Sequence, residues 1–140
     1  MKLDTEKHVL ITATENRDRN TYFILLVEDE YDLGSTLSML LELHGLRTLH
    51  VHNGQQALAA IKNHPPDLVL SDCMMPVMDG ITLSRTLRSD TETSHIPIVL
   101  MSAAPQYHDL SQADFDAFIQ KPFHFADLLE TIMPLLTTPR

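Results

Sequence analysis

The chain has 140 residues, 44% of them hydrophobic, enough for one compact domain and too few for two ordinary ones. Its 19 acidic residues outweigh 10 scattered basic ones for a formal charge of −9, which argues against binding a nucleic-acid backbone or an anionic membrane directly. One cysteine, Cys73, excludes an intrachain disulfide and fits a reducing compartment; with no apolar run near the roughly 20 residues that cross a bilayer and no signal-peptide core, a soluble cytoplasmic protein is expected.

Residues 1 to 20 mix charge and hydroxyls around one apolar patch, Val9-Leu10-Ile11, and read as a tail or linker, or less simply as an extra edge strand. Regular patterning starts at Tyr22. Phe23 to Val27 reads as a buried strand that ends abruptly in Glu28-Asp29-Glu30. A helix follows on Leu33, Leu37, Leu40 and Leu41, stopped by Gly45. Met39 and Leu43 widen its stripe past what one sheet face needs, for a broad core contact or a docked partner helix.

Leu46 to Val51 reads as a second strand, and Asn53-Gly54 caps a helix from Gln55 to Asn63 that carries Ala57, Leu58 and Ile61 inward. After Pro65-Pro66, Leu68-Val69-Leu70 reads as a strand buried on both faces that delivers Asp72 at its carboxyl end. Pro76 and Gly80 forbid an immediate helix, so the chain turns there before a helix from Ile81 to Arg88 on Leu83 and Leu87. Ile96 to Met101 is the fourth strand, with Pro97 at its start and Ser102 at its end.

Residues 103 to 117 carry the weakest periodicity, with a short helix expected around Tyr107 to Gln112. Ala117-Phe118-Ile119 is the fifth strand, ending at Lys121-Pro122. The last helix should run from His124 to Met133 on Phe125, Leu128, Leu129 and Ile132, because Pro134 biases the residue before it out of the helix. Residues 21 to 137 form one domain on this reading, and 138 to 140 a short tail.

Strands alternating with helices at this spacing predict an α/β fold, a parallel sheet with helices on both faces. In such sheets ligands bind outside the carboxyl ends of the strands, where strand order reverses. The last residues of the strands supply Glu28 and Asp29, then Asp72, Ser102 and Lys121. The second strand, ending near His52, contributes nothing comparable. Three carboxylates in one crevice repel unless a cation joins them, and hard oxygen ligands with no Cys or convergent His select Mg²⁺ or a similar ion. An ammonium from Lys121 and a hydroxyl from Ser102 suit a bound phosphoryl group.

These residues sit in five motifs: Ile24-Leu-Leu-Val-Glu28-Asp29-Glu30, Asn53-Gly54-Gln-Gln-Ala57-Leu58, Asp72-Cys-Met-Met-Pro76-Val-Met-Asp79-Gly80, Met101-Ser102-Ala103 and Lys121-Pro122-Phe123. In order and spacing the chain resembles the receiver domain of bacterial two-component response regulators over residues 21 to 137. The resemblance implies a doubly wound, flavodoxin-like sheet of five parallel strands in order 2-1-3-4-5 with five helices. It implies that Asp72 accepts a phosphoryl group from a sensor histidine kinase or a histidine phosphotransfer protein. Mg²⁺ would be held by Asp29, Asp72 and the backbone carbonyl of Met74, with Glu28 acting through water. Lys121 would neutralise phosphoryl oxygens, Ser102 would swing to bond one of them, and Phe118 would rotate inward as the aromatic switch. A cis Lys121-Pro122 bond is also implied.

On that resemblance the chain is a signalling phosphoacceptor rather than an enzyme, acting on a downstream protein, an output domain or a second copy of itself. The segment between Ser102 and Lys121 is a few residues short for the family, and Ala113-Asp-Phe-Asp116 replaces its usual small-residue turn. The family positions that modulate hydrolysis hold Met74 and Ala104, which cannot orient water, so a long-lived phosphoryl group is expected. Cys73 reads as a small buried hydrophobe or a redox handle, and His50 and His52 as a polar surface pair.

Three rival functions share the architecture. An aspartyl phosphohydrolase needs a second Asp where Met74 stands. A flavin carrier needs a loop of backbone donors where Glu28-Asp29-Glu30 would repel a phosphate. A non-phosphorylated docking module would be expected to lose Asp72 or Lys121. With no room for a DNA-binding output domain, the chain is expected to be a stand-alone receiver, a relay intermediate or a receiver cut from a longer protein.

Overall fold

Short apolar runs bounded by turn residues become five parallel strands: β1 (Phe23–Val27), β2 (Arg47–Val51), β3 (Leu68–Asp72), β4 (Ile98–Ser102) and β5 (Ala117–Gln120). A computed structural model describes residues 21–104 and 110–138; the expected tail at 1–20 and the first half of the expected helix at 107–112 lie outside the described residues. Between the strands lie α1 (Tyr31–Leu43), α2 (Gly54–Asn63) and α3 (Gly80–Ser89), and α4 (Phe125–Thr137) closes the chain. Strand order is β2-β1-β3-β4-β5, as the resemblance implied.

The central strands β1, β3 and β4 are mostly apolar because both sheet faces are covered there, yet their side chains alternate between two layers. Ile24, Leu26, Leu68 and Leu70 join Leu37 and Leu41 of α1 and Leu128 and Ile132 of α4 in one core layer. Leu25, Val27 and Val69 join Ala57 and Ile61 of α2 and Leu83 and Leu87 of α3 in the other. The chain leaves β1 toward β2 on one side and returns to β3 on the other. The crevice at that reversal opens at the carboxyl ends of β1 and β3, where Glu28 and Asp72 stand.

Local signals hold at several ends. The Asn53 side chain accepts a hydrogen bond from Gln56 N–H at the start of α2, and Asp79 accepts one from Thr82 N–H at the start of α3. Pro97 precedes β4 and uses only its carbonyl, which accepts from Val69 N–H. The Lys121-Pro122 bond is cis.

Two expectations are corrected. The last helix does not stop at Met133: α4 continues to Thr137 with Pro134 inside it. Proline there removes one N–H, but the added turn buries Leu136 in the core, and Thr138 N–H donates back to the Pro134 carbonyl. Met39 and Leu43 do not broaden the core contact; they are 57% and 74% exposed, because α1 already fills its sheet face with Leu37 and Leu41. Between β4 and β5 the described residues hold one 3₁₀ turn, Leu110–Gln112, and four α-helices are described where five were implied.

Candidate functional site

Asp72 is the last residue of β3 and is clamped by its neighbours. The next N–H, of Cys73, donates to Met101 O of β4 at 2.9 Å, and Gly80 N–H donates to Cys73 O at 3.0 Å. A Cβ on Gly80 would fall 2.2 Å from the Asp72 carbonyl oxygen, so α3 can start this close only on glycine. The loop 73–79 is thereby pinched at its base, and the Asp72 carboxylate faces the cleft.

Lys121 follows β5 and reaches back across the sheet edge. Its Nζ donates to Glu28 Oε1 at 2.9 Å and lies 3.3 Å from Asp72 Oδ1. Glu28 is 1% exposed, and its second oxygen accepts from Glu30 N–H at 3.0 Å. Carboxylate oxygens of Glu28, Asp29 and Asp72 all lie within 4.8 Å of one another. One ammonium therefore faces three acids.

The electrostatics follow from burial. Desolvation raises the Asp72 carboxyl above its ordinary range, against the Lys121 charge and hydrogen bond, and the Asp29 charge adds to the rise. Glu28 is likewise raised, by burial first, with the Lys121 hydrogen bond opposing it. Burial also works against the Lys121 ammonium, but the hydrogen bond to Glu28 and the charge of Asp72 outweigh it, so Lys121 is held more firmly protonated than usual. An all-oxygen donor set with surplus negative charge is what a hard divalent ion takes.

Of the other expected residues Met74 and Ser102 border the same cleft, which Asp29, Asp72, Ala103, Ala104 and Lys121 complete, whereas Phe118 does not line it. Its volume of about 240 Å³ is below the ~300–1,000 Å³ of pockets that enclose a whole small molecule, so it suits a phosphoryl group better than a flavin. Ser102 is buried and its Oγ accepts from Ala104 N–H at 3.1 Å. Phe118 is half-buried in β5, packs on the α2 and α3 layer, and has its ring 6.4 Å from that of Phe115. The Cys73 thiol is buried and pushed up to about 12 by desolvation and the charges of Asp72 and Asp79, which removes the thiolate that redox chemistry needs.

One contributor escaped the sequence reading. His50 of β2, expected in a surface pair with His52, is half-buried, and its Nε2 lies 2.8 Å from the Glu28 carbonyl oxygen. The second strand does contribute to this edge. Only the strand pairing Leu26↔His50 reveals it, since the partners are 22 residues apart.

Comparison with known proteins agrees with this geometry. The family model described as "response regulator receiver domain" matches residues 24–133. The chain is 35% identical over 116 residues to the phosphate regulon transcriptional regulatory protein of Pseudomonas aeruginosa, covering 81% of this chain and 51% of that protein. It thus spans about half the length of this curated relative. Among solved structures, the receiver domain of a signal transduction histidine kinase from Syntrophus aciditrophicus is 34% identical, with a TM-score of 0.78 over 83% of this chain and 90% of that one. The receiver domain of a Pseudomonas aeruginosa sensor histidine kinase, solved with a magnesium ion coordinated in its active-site cleft, is 28% identical. Its TM-score is 0.79, over 84% of this chain and 99% of that one.

Proposed function

We propose, on the premise that this chain belongs to the response regulator receiver family, that Asp72 is its phosphoacceptor. The observation that carries this is the Asp72 carboxylate in the cleft, 3.3 Å from the Lys121 ammonium and beside Glu28 and Asp29. An Asp72 oxygen would attack the phosphorus of a phosphohistidine on a sensor histidine kinase or histidine phosphotransfer protein. A P–O bond forms in line as the P–N bond breaks, and the imidazole leaves with the electron pair. The chain supplies positioning and charge compensation, and Lys121 neutralises phosphoryl oxygens from one side.

Asp29, Asp72 and the Met74 carbonyl would hold Mg²⁺ directly. Glu28 would act through water, because both its oxygens already accept protein hydrogen bonds. Bound there, the ion neutralises charge on the phosphoryl oxygens. After transfer, Ser102 Oγ would turn from Ala104 N–H to a phosphoryl oxygen and Phe118 would rotate inward, which favours one conformation by the added contacts. The receiver domain would span residues 21–137 and signal to a downstream protein, an output domain or a second copy. No described helix is long and apolar enough to cross a membrane.

Incubation with acetyl phosphate, with and without Mg²⁺, followed by intact-mass analysis, tests this reading. A Mg²⁺-dependent gain of one phosphoryl group that Asp72→Asn lacks supports it, and no adduct on a folded protein leaves a docking module instead. Met74 and Ala104 cannot orient an attacking water, so the adduct should persist; rapid loss of label from the isolated phosphoprotein would contradict that.

A further inference from the structure

We infer that His50 is a positioning residue for cation binding at Asp29, acting through the peptide bond between Glu28 and Asp29; the inference rests on the cation site proposed above. The Glu28 carbonyl only accepts, so at 2.8 Å the His50 Nε2 must carry the ring proton and donate it. A peptide unit is planar. Holding the Glu28 oxygen therefore fixes the plane in which the Asp29 nitrogen lies, and with it the direction in which Asp29 leaves the strand. Glu28 N–H donates to Val51 O at 3.0 Å, so β2 holds both backbone polar groups of Glu28.

The carboxylate of Glu28 is gripped independently, by Lys121 and by Glu30 N–H. Asp29 is exposed, and its aim depends on its backbone. The imidazole is itself seated by shape. A Cβ on Gly34 would fall 2.1 Å from both Cε1 and Nε2 of His50, so the ring lies on the bare backbone of α1. Glycine inside a helix is unfavourable relative to alanine, and here its missing side chain is the room the ring occupies. The His52 ring, 4.7 Å away, and the Tyr31 ring, 6.3 Å away, flank it.

The test is calorimetric titration of the whole chain with Mg²⁺ in the absence of any phosphoryl donor, on the wild type and three variants. His50→Phe keeps a flat ring and loses the donor; His50→Gln keeps a donor. Gly34→Ala expels the imidazole while favouring the helix, and decides the matter alone if His50→Phe does not fold. We expect His50→Phe and Gly34→Ala to weaken Mg²⁺ binding about 10-fold, and His50→Gln to recover most of it. Wild-type affinity in His50→Phe and Gly34→Ala, or His50→Gln as weak as His50→Phe, would overturn the inference and leave a packing role. A wild type that takes up no Mg²⁺ overturns the cation site as well, so the two failures are told apart.

Discussion

Two clusters in this molecule place one cation between two carboxylates, and they do opposite things. Lys121 lies between Glu28 and Asp72 at the carboxyl edge of the sheet; Arg88 of α3 lies between Asp114 and Asp116 just before β5. The Arg88 cluster is satisfied. Its guanidinium also donates to the carbonyls of Ser94 and Ile96, and Asp116 Oδ2 takes both Arg88 Nη2 at 2.6 Å and Ile98 N–H at 2.8 Å. It ties the shortened connection onto α3, where Asp114 N–H also donates to Ser84 Oγ. The Lys121 cluster adds a third carboxylate, Asp29, and its buried acids are raised. A satisfied ion cluster is a clasp, whereas an unbalanced one is a site that waits for charge.

Removing one member from each cluster separates the two roles. Asp72→Asn should abolish the phosphoryl adduct completely, as read by intact mass. Lys121→Met should lower the rate of labelling by about 100-fold or more, given the proposed role of its charge in neutralising phosphoryl oxygens. Arg88→Met keeps the aliphatic stem but loses every donor. It should destabilise the fold by about 2–3 kcal/mol in urea titrations, with Asp72 still labelled. A loss of labelling in folded Arg88→Met as deep as that in Lys121→Met would erase the distinction.

The raised acids also make stability depend on pH. Both Asp72 and Glu28 titrate above their ordinary values of 3.8 and 4.5 in the folded chain, because burial disfavours their charge. The native state then holds protons that the unfolded chain has released. The stability this contributes is full below those ordinary values and is lost as pH rises through the raised folded ones. Asp72→Asn should therefore be more stable than the wild type at neutral pH without Mg²⁺, by about 1 kcal/mol, and saturating Mg²⁺ should narrow the gap. Urea titrations from mild acid to neutrality read both effects.

A milder change is expected in the loop that follows Asp72. Val77 has φ +70° and is 76% exposed, and Met78 N–H donates across it to Pro76 O at 2.7 Å. A β-branched residue in that turn is strained. Val77→Gly should stabilise the fold by about 1 kcal/mol after the entropy of glycine in the unfolded chain is counted. A lower melting temperature in that variant would show that the side chain makes a contact worth more than the strain.

Much of the fold and of the candidate site was legible because both rest on local signals. Each buried strand is a continuous apolar run, and the residue that breaks the run marks the sheet edge; Glu28, Asp72 and Ser102 were found that way. The Asn53 and Asp79 caps were equally local. What escaped depended on partners distant in the chain. Arg88 meets Asp116 28 residues later, and an arginine near a helix end reads as an ordinary solvated charge until that meeting is seen. Pro134 misled because a rule about neighbouring residues cannot weigh the burial of Leu136, which needs the sheet in place.

The parallel α/β sheet and the residue types that gather at its carboxyl edge follow from local patterns, since periodicity and helix caps act over a few residues. How those residues are held is a product of the folded arrangement. It set Lys121 between Glu28 and Asp72, laid His50 of β2 on the bare backbone of Gly34 with its Nε2 2.8 Å from the Glu28 carbonyl oxygen, and tied the connection before β5 to Arg88. Hydrogen bonds and ion pairs of this kind form between atoms a few ångströms apart, whatever their separation in the chain, and no local pattern encodes that distance.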